Sequence, residues 1–163
     1  LELNTNNKLF KEVNFALNEV AVSKKDTSSM IRIDAFVDEE YLNTYWADGL
    51  VVSTPTGSTG YSLSCGGPII VPGTNNIIIT PNAPHNLNVR PIVIDDNSVV
   101  KLKVEDRDQL ALVSLDSRSR AFDSGTELTI KKANFKIKLV QPQNHSFTST
   151  IRHKLMWGLD KRS

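Results

Sequence analysis

The stretch with the densest chemistry is Asp48–Pro68, DGLVVSTPTGSTGYSLSCGGP. An acid and a glycine precede a short apolar run, Leu50 to Val52, and small polar residues follow almost without interruption. Ser53, Thr54, Thr56, Ser58, Thr59, Tyr61, Ser62 and Ser64 offer neutral hydroxyl donors and acceptors. Gly57, Gly60, Gly66 and Gly67 let the backbone approach a ligand closely. This chemistry suits recognition of a polar, hydrogen-bonding small molecule, such as a phosphate or a ribose. The same composition also suits a Ser/Thr-rich turn between two strands.

Other chemistries find little support. Gly60-Tyr61-Ser62-Leu63-Ser64 approaches the serine-hydrolase elbow but ends in Ser where Gly is required, and nothing in the sequence places His85 beside Ser62. There is no G-x-x-x-x-G-K-[ST] phosphate loop and no G-x-G-x-x-G dinucleotide turn. His85, His145 and His153 are widely separated and there is one cysteine, so no metal-ligand spacing arises. Cys65 has no identifiable activating base and reads as a small buried residue. Trp46 and Trp157 read as core or interface aromatics, and Arg118 and Arg120 as solvated turn residues.

The elements that must position the stretch are mostly strands. With 163 residues, 39% hydrophobic and 23% charged, the chain reads as one folded domain. A net charge of +1 argues against broad binding to nucleic acid or an anionic membrane. No apolar run approaches a membrane span, and a cytoplasmic protein is expected. Opening at Leu1 rather than methionine, the chain reads as part of a longer one.

Residues 1–8 read as an exposed lead-in. Val13, Phe15 and Leu17 alternate, and Val20 and Val22 resume the pattern beyond Asn18-Glu19, which predicts a strand with a bulge or exposed edge at that pair. Ile31, Ile33, Ala35 and Val37 predict a second strand, paired with the first as a hairpin. Asp38 to Asn43 reads as a turn, Leu50 to Ser53 as a buried strand, and Thr56 to Cys65 as a loop leading into a short helix. Further strands are predicted around Ile77–Ile79, Val100–Val104, Leu110–Ser114 (with Leu110 and Leu112 on the buried face), Leu128–Ile130 and Phe135–Leu139. Turns are placed at Lys24–Ser29, Asp106–Asp108 and Asp123–Gly125. Strands spaced this regularly argue a β-sandwich or related multi-sheet fold. At the end the period changes: Phe147, Ile151 and Leu155 recur at helical spacing, Ser146 is placed to cap and Gly158 to terminate.

Taken together, Asn18-Glu19, Asp48-Gly49, Ser53-Thr54-Pro55-Thr56-Gly57-Ser58-Thr59-Gly60-Tyr61, Pro84–Val93 and Asp116 resemble the C-terminal domain of NAD kinases, from about Leu9 to the last helix. The resemblance implies a mainly β, multi-stranded sandwich-like domain with a short helix near 58–65 and a C-terminal helix. Residues 1–145 would form the NAD-binding part. Residues 146–163 would form a helix packing on an N-terminal α/β domain outside this sequence. The implied reaction is phosphoryl transfer from ATP, or in some members polyphosphate, to the adenosine-ribose 2′-hydroxyl of NAD. By the resemblance Asn18 and Glu19 contact the ribose, Thr59, Tyr61 and Ser64 the adenine side, and Asp48 and Ala83 the nicotinamide side. Mg2+ or another divalent metal would accompany ATP, and a homo-oligomer, dimer or tetramer, would be the partner.

The chain departs from the pattern in three places. No Gly-Gly-Asp motif occurs, so the family's catalytic Asp is expected outside these residues and the chain alone is expected to be inactive. Asp116 is followed by Ser117 and Arg118 where Gly and a small amide are usual, and Gly60 stands where Ala is commoner. Two other readings are a silent nucleotide-binding or oligomerisation β-domain, and a lipid kinase of related fold. The latter would call for an apolar pocket rather than this Asn-Glu and hydroxyl set.

Overall fold

A computed structural model describes residues 1–7, 9–25, 29–105, 110–138, 140 and 146–157. The predicted turn at Asp106–Asp108, Leu139 and the proposed stop at Gly158 lie outside them. The chain divides into two units, Leu1–Ala133 and Asn134–Ser163.

The first unit is a sandwich of two antiparallel sheets. The strands are β1 (Glu2–Thr5), β2 (Glu19–Lys24), β3 (Ile31–Val37), β4 (Glu40–Ala47), β5 (Gly49–Ser53), β6 (Asn76–Asn82), β7 (Ile92–Asp95), β8 (Val100–Glu105), β9 (Leu110–Leu115), β10 (Arg118–Asp123) and β11 (Glu127–Lys131). One sheet has the order β1-β11-β8-β3-β4 and the other β10-β9-β2-β5-β6-β7. Alternate residues interlock between the sheets: Ile31, Ile33, Leu102, Val104, Leu128 and Ile130 on one side meet Val20, Val22, Leu50, Val52, Ile77 and Ile79 on the other.

The six-stranded sheet is covered on its second face too. After β5 the chain makes a 3-10 turn (Thr56–Thr59) and a single helical turn, α1 (Tyr61–Ser64). All five residues of β5 are therefore buried, which is why this strand reads as a continuous apolar run rather than an alternating one. Ser53, Ser58, Ser62 and Thr80 are buried with it.

Several expectations need correction. Residues 1–8 are not simply a lead-in, since β1 pairs with β11 and buries Leu3. Val13 and Leu17 are exposed and belong to no strand; only Phe15 makes an isolated bridge, to Glu2. Glu19 opens β2, with Asn18 immediately before it, instead of the pair interrupting a strand. β2 and β3 lie in different sheets and form no hairpin. The turn at Asp38 is only two residues long, Asp38-Glu39 with φ of 51° and 67°, and leads straight into β4. In β9 the buried face carries Ala111, Val113 and Leu115, one residue out of phase with Leu110 and Leu112. Arg118 and Arg120 lie in β10 rather than in a turn. Phe135 and Ile137 are exposed and outside any strand. Trp46 and Trp157 are both exposed, which excludes a core role in this structure.

The second unit holds α2 (Phe147–Leu155). The Ser146 hydroxyl accepts from the Ser149 N–H at 3.1 Å, the predicted N-cap. Arg152, His153 and Lys154 occupy the last turn, where cations complement the helix dipole. Met156, at φ 54°, ends the helix in the left-handed conformation.

Candidate functional site

The site is built around the start of β2. The Asp116 carboxylate, in the two-residue turn between β9 and β10, gathers the backbone there. Its Oδ2 accepts from the Leu17 N–H at 2.9 Å, and its Oδ1 from the Asn18 N–H at 2.8 Å and the Glu19 N–H at 3.2 Å. The Asp116 N–H in turn donates to the Glu19 carbonyl at 3.0 Å. From the other side the Thr54 N–H donates to the Asn18 carbonyl and the Thr54 hydroxyl to the Leu17 carbonyl, both at 2.8 Å. The Gly57 N–H donates to that same hydroxyl at 3.0 Å.

The covering segment is held down by buried hydroxyls. The Ser58 hydroxyl donates to the Pro55 carbonyl at 2.6 Å and accepts from the Ile70 N–H at 3.0 Å. Ser62 and Thr80 share a hydroxyl–hydroxyl bond of 2.9 Å. Gly67 lies so close to this pair that a Cβ there would fall 2.3 Å from the Ser62 Oγ. Half of the conspicuous hydroxyl set, Ser53, Ser58, Thr54 and Ser62, is therefore structural or buried, and the exposed remainder is what can meet a ligand.

Tyr61 links the two ends of the sheet's outer face. Its backbone N–H donates to the Glu19 carboxylate, at the end where Glu19 pairs with Ser53. Its phenol oxygen accepts from the Asn82 side-chain amide at 3.1 Å, at the end where Gly49 pairs with Asn82. Asp48 sits at that second end. Its N–H donates to the Asn82 carbonyl at 3.0 Å and its carboxylate pairs with the Lys24 ammonium at 2.7 Å. Ala83 follows Asn82 directly, exposed and at φ 46°, a left-handed conformation that costs a non-glycine residue energy.

The electrostatics centre on Glu19. Burial pushes its carboxyl above the ordinary value of 4.5, the Asp116 carboxylate adds to the rise, and the Tyr61 N–H opposes it. Its Oε2 is buried with no hydrogen-bond partner among the described residues, and so is the Oγ of Ser53, the residue directly opposite in the β2–β5 register. Unpaired buried oxygens are uncommon and costly. The Tyr61 phenol is also raised, first by burial and then by Cys65, Asp48 and Glu19. Cys65 is half-buried, and burial raises its thiol.

An acid whose pKa is higher in the folded state holds its proton more tightly there, so its contribution to stability falls as pH rises above 4.5. Glu19→Gln is expected to remove that fall. Urea titrations at successive pH values above 4.5 should show wild type losing stability relative to the variant, and parallel curves would overturn the assignment.

The predicted site residues are thus partly assembled. Asn18, Glu19, Tyr61 and Asp48 are connected through the bonds above, and Ala83 adjoins them only as the residue after Asn82. Thr59 and Ser64 stand exposed on the covering segment, and among the described residues no hydrogen bond joins either to the Asn18–Glu19 pair. Two further residues contribute to the site. Asn82, the partner of the Tyr61 phenol, is marked in the sequence only by adjacency to Ala83. Asp116 belongs to the motif that carries the resemblance, but its contact with Asn18, 98 residues away, leaves no local signal. Arg118 does not stand free: its guanidinium donates to the Val13 carbonyl at 2.8 Å and to the Phe15 carbonyl. Arg120 lies over the Phe10 ring at 5.7 Å.

Residues 17–142 match the family model of the ATP-NAD kinase C-terminal domain. NAD kinase of Cytophaga hutchinsonii is 53% identical over 163 residues, all of this chain and 56% of the relative. NAD kinase of Flavobacterium psychrophilum is 58% identical over 153 residues, 94% of this chain and 52% of the relative. The chain thus spans about half the length of these curated relatives. Among solved structures, yeast NADH kinase complexed with NADH superposes with a TM-score of 0.80 at 26% identity, covering 89% of this chain and 45% of that one. An NAD kinase from Archaeoglobus fulgidus in complex with ATP superposes with a TM-score of 0.71 at 31% identity, covering 82% and 51%.

Proposed function

Since this chain belongs to the ATP-NAD kinase C-terminal domain family, we propose that it forms the NAD-binding part of an enzyme that phosphorylates the adenosine-ribose 2′-hydroxyl of NAD with ATP, giving NADP. The observation that carries this reading is the Glu19 carboxylate, whose buried Oε2 has no hydrogen-bond partner among the described residues. A ribose hydroxyl donating to it would supply the missing bond. Asn18 beside it offers an amide to the same sugar. Tyr61, Thr59 and Ser64 line the adenine side, and Asp48 and Ala83 the nicotinamide side at the other end of the tyrosine. A dinucleotide needs such an elongated, mostly neutral set of contacts rather than a concentrated phosphate cradle.

Phosphoryl transfer depends on positioning and charge stabilisation, and the role assigned to this chain is the first. The base for the 2′-hydroxyl proton is assigned to a Gly-Gly-Asp segment outside these 163 residues, which contain none. Among the described residues no group of three His, Cys, Asp or Glu side chains could hold a metal ion. A cytoplasmic homo-oligomer completes the proposal; among the described residues no helix is long and apolar enough to cross a membrane.

Calorimetric titration of the full-length protein with NAD tests the assignment. Asn18→Ala and Tyr61→Ala are each expected to weaken NAD binding about tenfold, the order of one or two lost hydrogen bonds. Unchanged affinity in both would remove the site from this surface.

A further inference from the structure

We propose that Asp116 is a positioning residue for the dinucleotide site, acting through the backbone of Leu17, Asn18 and Glu19; this rests on the reading that Asn18 and Glu19 meet the ribose. Asp116 stands at φ 52° in a two-residue hairpin turn. Glycine or asparagine satisfies such a turn without placing a negative charge near Glu19. Asp fits such a turn as well, but the turn does not require its charge, and the charge carries an electrostatic cost, since it contributes to holding the Glu19 carboxyl above its ordinary range.

The carboxylate's contacts explain its presence. Three consecutive N–H groups converge on its two oxygens, bonds strengthened by the charge. The reciprocal bond from the Asp116 N–H to the Glu19 carbonyl closes the arrangement. Together they hold the peptide group preceding Leu17, both peptide groups flanking Asn18 and the one following Glu19. The Cα–Cβ directions of the two ligand-facing residues are thereby fixed, rather than left to the end of a strand that emerges from irregular chain. Glu19 then presents a carboxylate with one oxygen unpartnered among the described residues. Arg118, two residues on, holds the same upstream segment farther away, at Val13 and Phe15, and among the described residues no hydrogen bond or ion pair joins it to residues 17–19.

That division supplies the test. In Asp116→Asn one acceptor is retained, and an amide donor faces a backbone N–H instead of bonding it. In the full-length protein this variant is expected to raise the KM for NAD tenfold or more, with the KM for ATP changed less than twofold. Arg118→Met is expected to lower the melting temperature while leaving the KM for NAD within twofold. A KM for NAD unchanged in Asp116→Asn, or raised equally in Arg118→Met, would overturn the proposal. Asn18→Ala separates the two levels. If it weakens NAD binding while Asp116→Asn does not, only the positioning role fails; if it has no effect, the site reading fails and the proposal with it. Should Asp116→Asn not fold, hydrogen exchange of the wild type decides: the amides of residues 17–19 must be protected before NAD is added, and exchange at solvent rates would overturn the inference.

Discussion

Gly57→Ala is expected to destabilise the protein by about 3 kcal/mol, the upper part of the range for overpacking, and to weaken NAD binding in whatever folds. A Cβ at this position would lie 2.1 Å from the Asn18 carbonyl oxygen and 2.5 Å from its carbon. Both obstacles are backbone, so no side chain can swing aside. Gly57 does not occupy the left-handed region; its requirement is close approach alone. The covering segment must lift or Asn18 must shift. A displacement of about 1 Å at a positioning residue costs on the order of 10²-fold in activity. Urea denaturation and NAD titration of the same preparation check both effects. A wild-type midpoint together with wild-type affinity would show that the segment does not press on Asn18.

Leu50→Ala is expected to cost about 2–5 kcal/mol, the range for truncating a buried leucine where the surroundings cannot collapse. Leu50 is fully buried in β5, between Val22 on one neighbouring strand and Pro81 on the other. Its side chain belongs to the core between the sheets, and the opposite face of its strand is closed by the Thr56–Ser64 segment, so no single element can move in to fill the space. For a chain of this size the melting temperature should fall about 2–4 °C for each kcal/mol. Because Leu50 faces away from the Tyr61 side, NAD affinity of the folded protein should stay within twofold. A loss below about 1 kcal/mol would mean that the core repacks around the gap.

The two variants differ in how visible their effects are from sequence. The burial of Leu50 is legible because Leu50-Val51-Val52 is an apolar run bounded by turn residues. The demand at Gly57 is not, because its neighbour Asn18 is 39 positions away in the chain. The same division runs through the fold. β3, β8 and β11 announce themselves by alternation, and α2 by its spacing and Ser146 cap. β1 and β4 do not: β1 is a four-residue edge strand held by pairing with β11, and β4 is largely polar and follows an Asp38-Glu39 turn lacking the usual Asn-Gly signature. In β9 Leu110, Leu112 and Val113 offer apolar residues in both phases, so only docking against the other sheet decides that Ala111, Val113 and Leu115 turn inward.

By itself the sequence determined the class of fold, the family resemblance through the Asn18-Glu19 and Thr54–Tyr61 motifs, and the polar, largely uncharged character of the site. These depend on local periodicity, capping and residue type, which act over a few positions. Only the tertiary structure decided which hydroxyls are structural and which exposed, that Asn18 and Glu19 are gathered by Asp116 rather than set in a bulge, and that one Glu19 oxygen is buried without a partner among the described residues. Those features arise from hydrogen bonds between distant strands and from desolvation by packed layers. Neither is encoded in any short stretch of chain; both appear only once the second face of the six-stranded sheet is closed over β5.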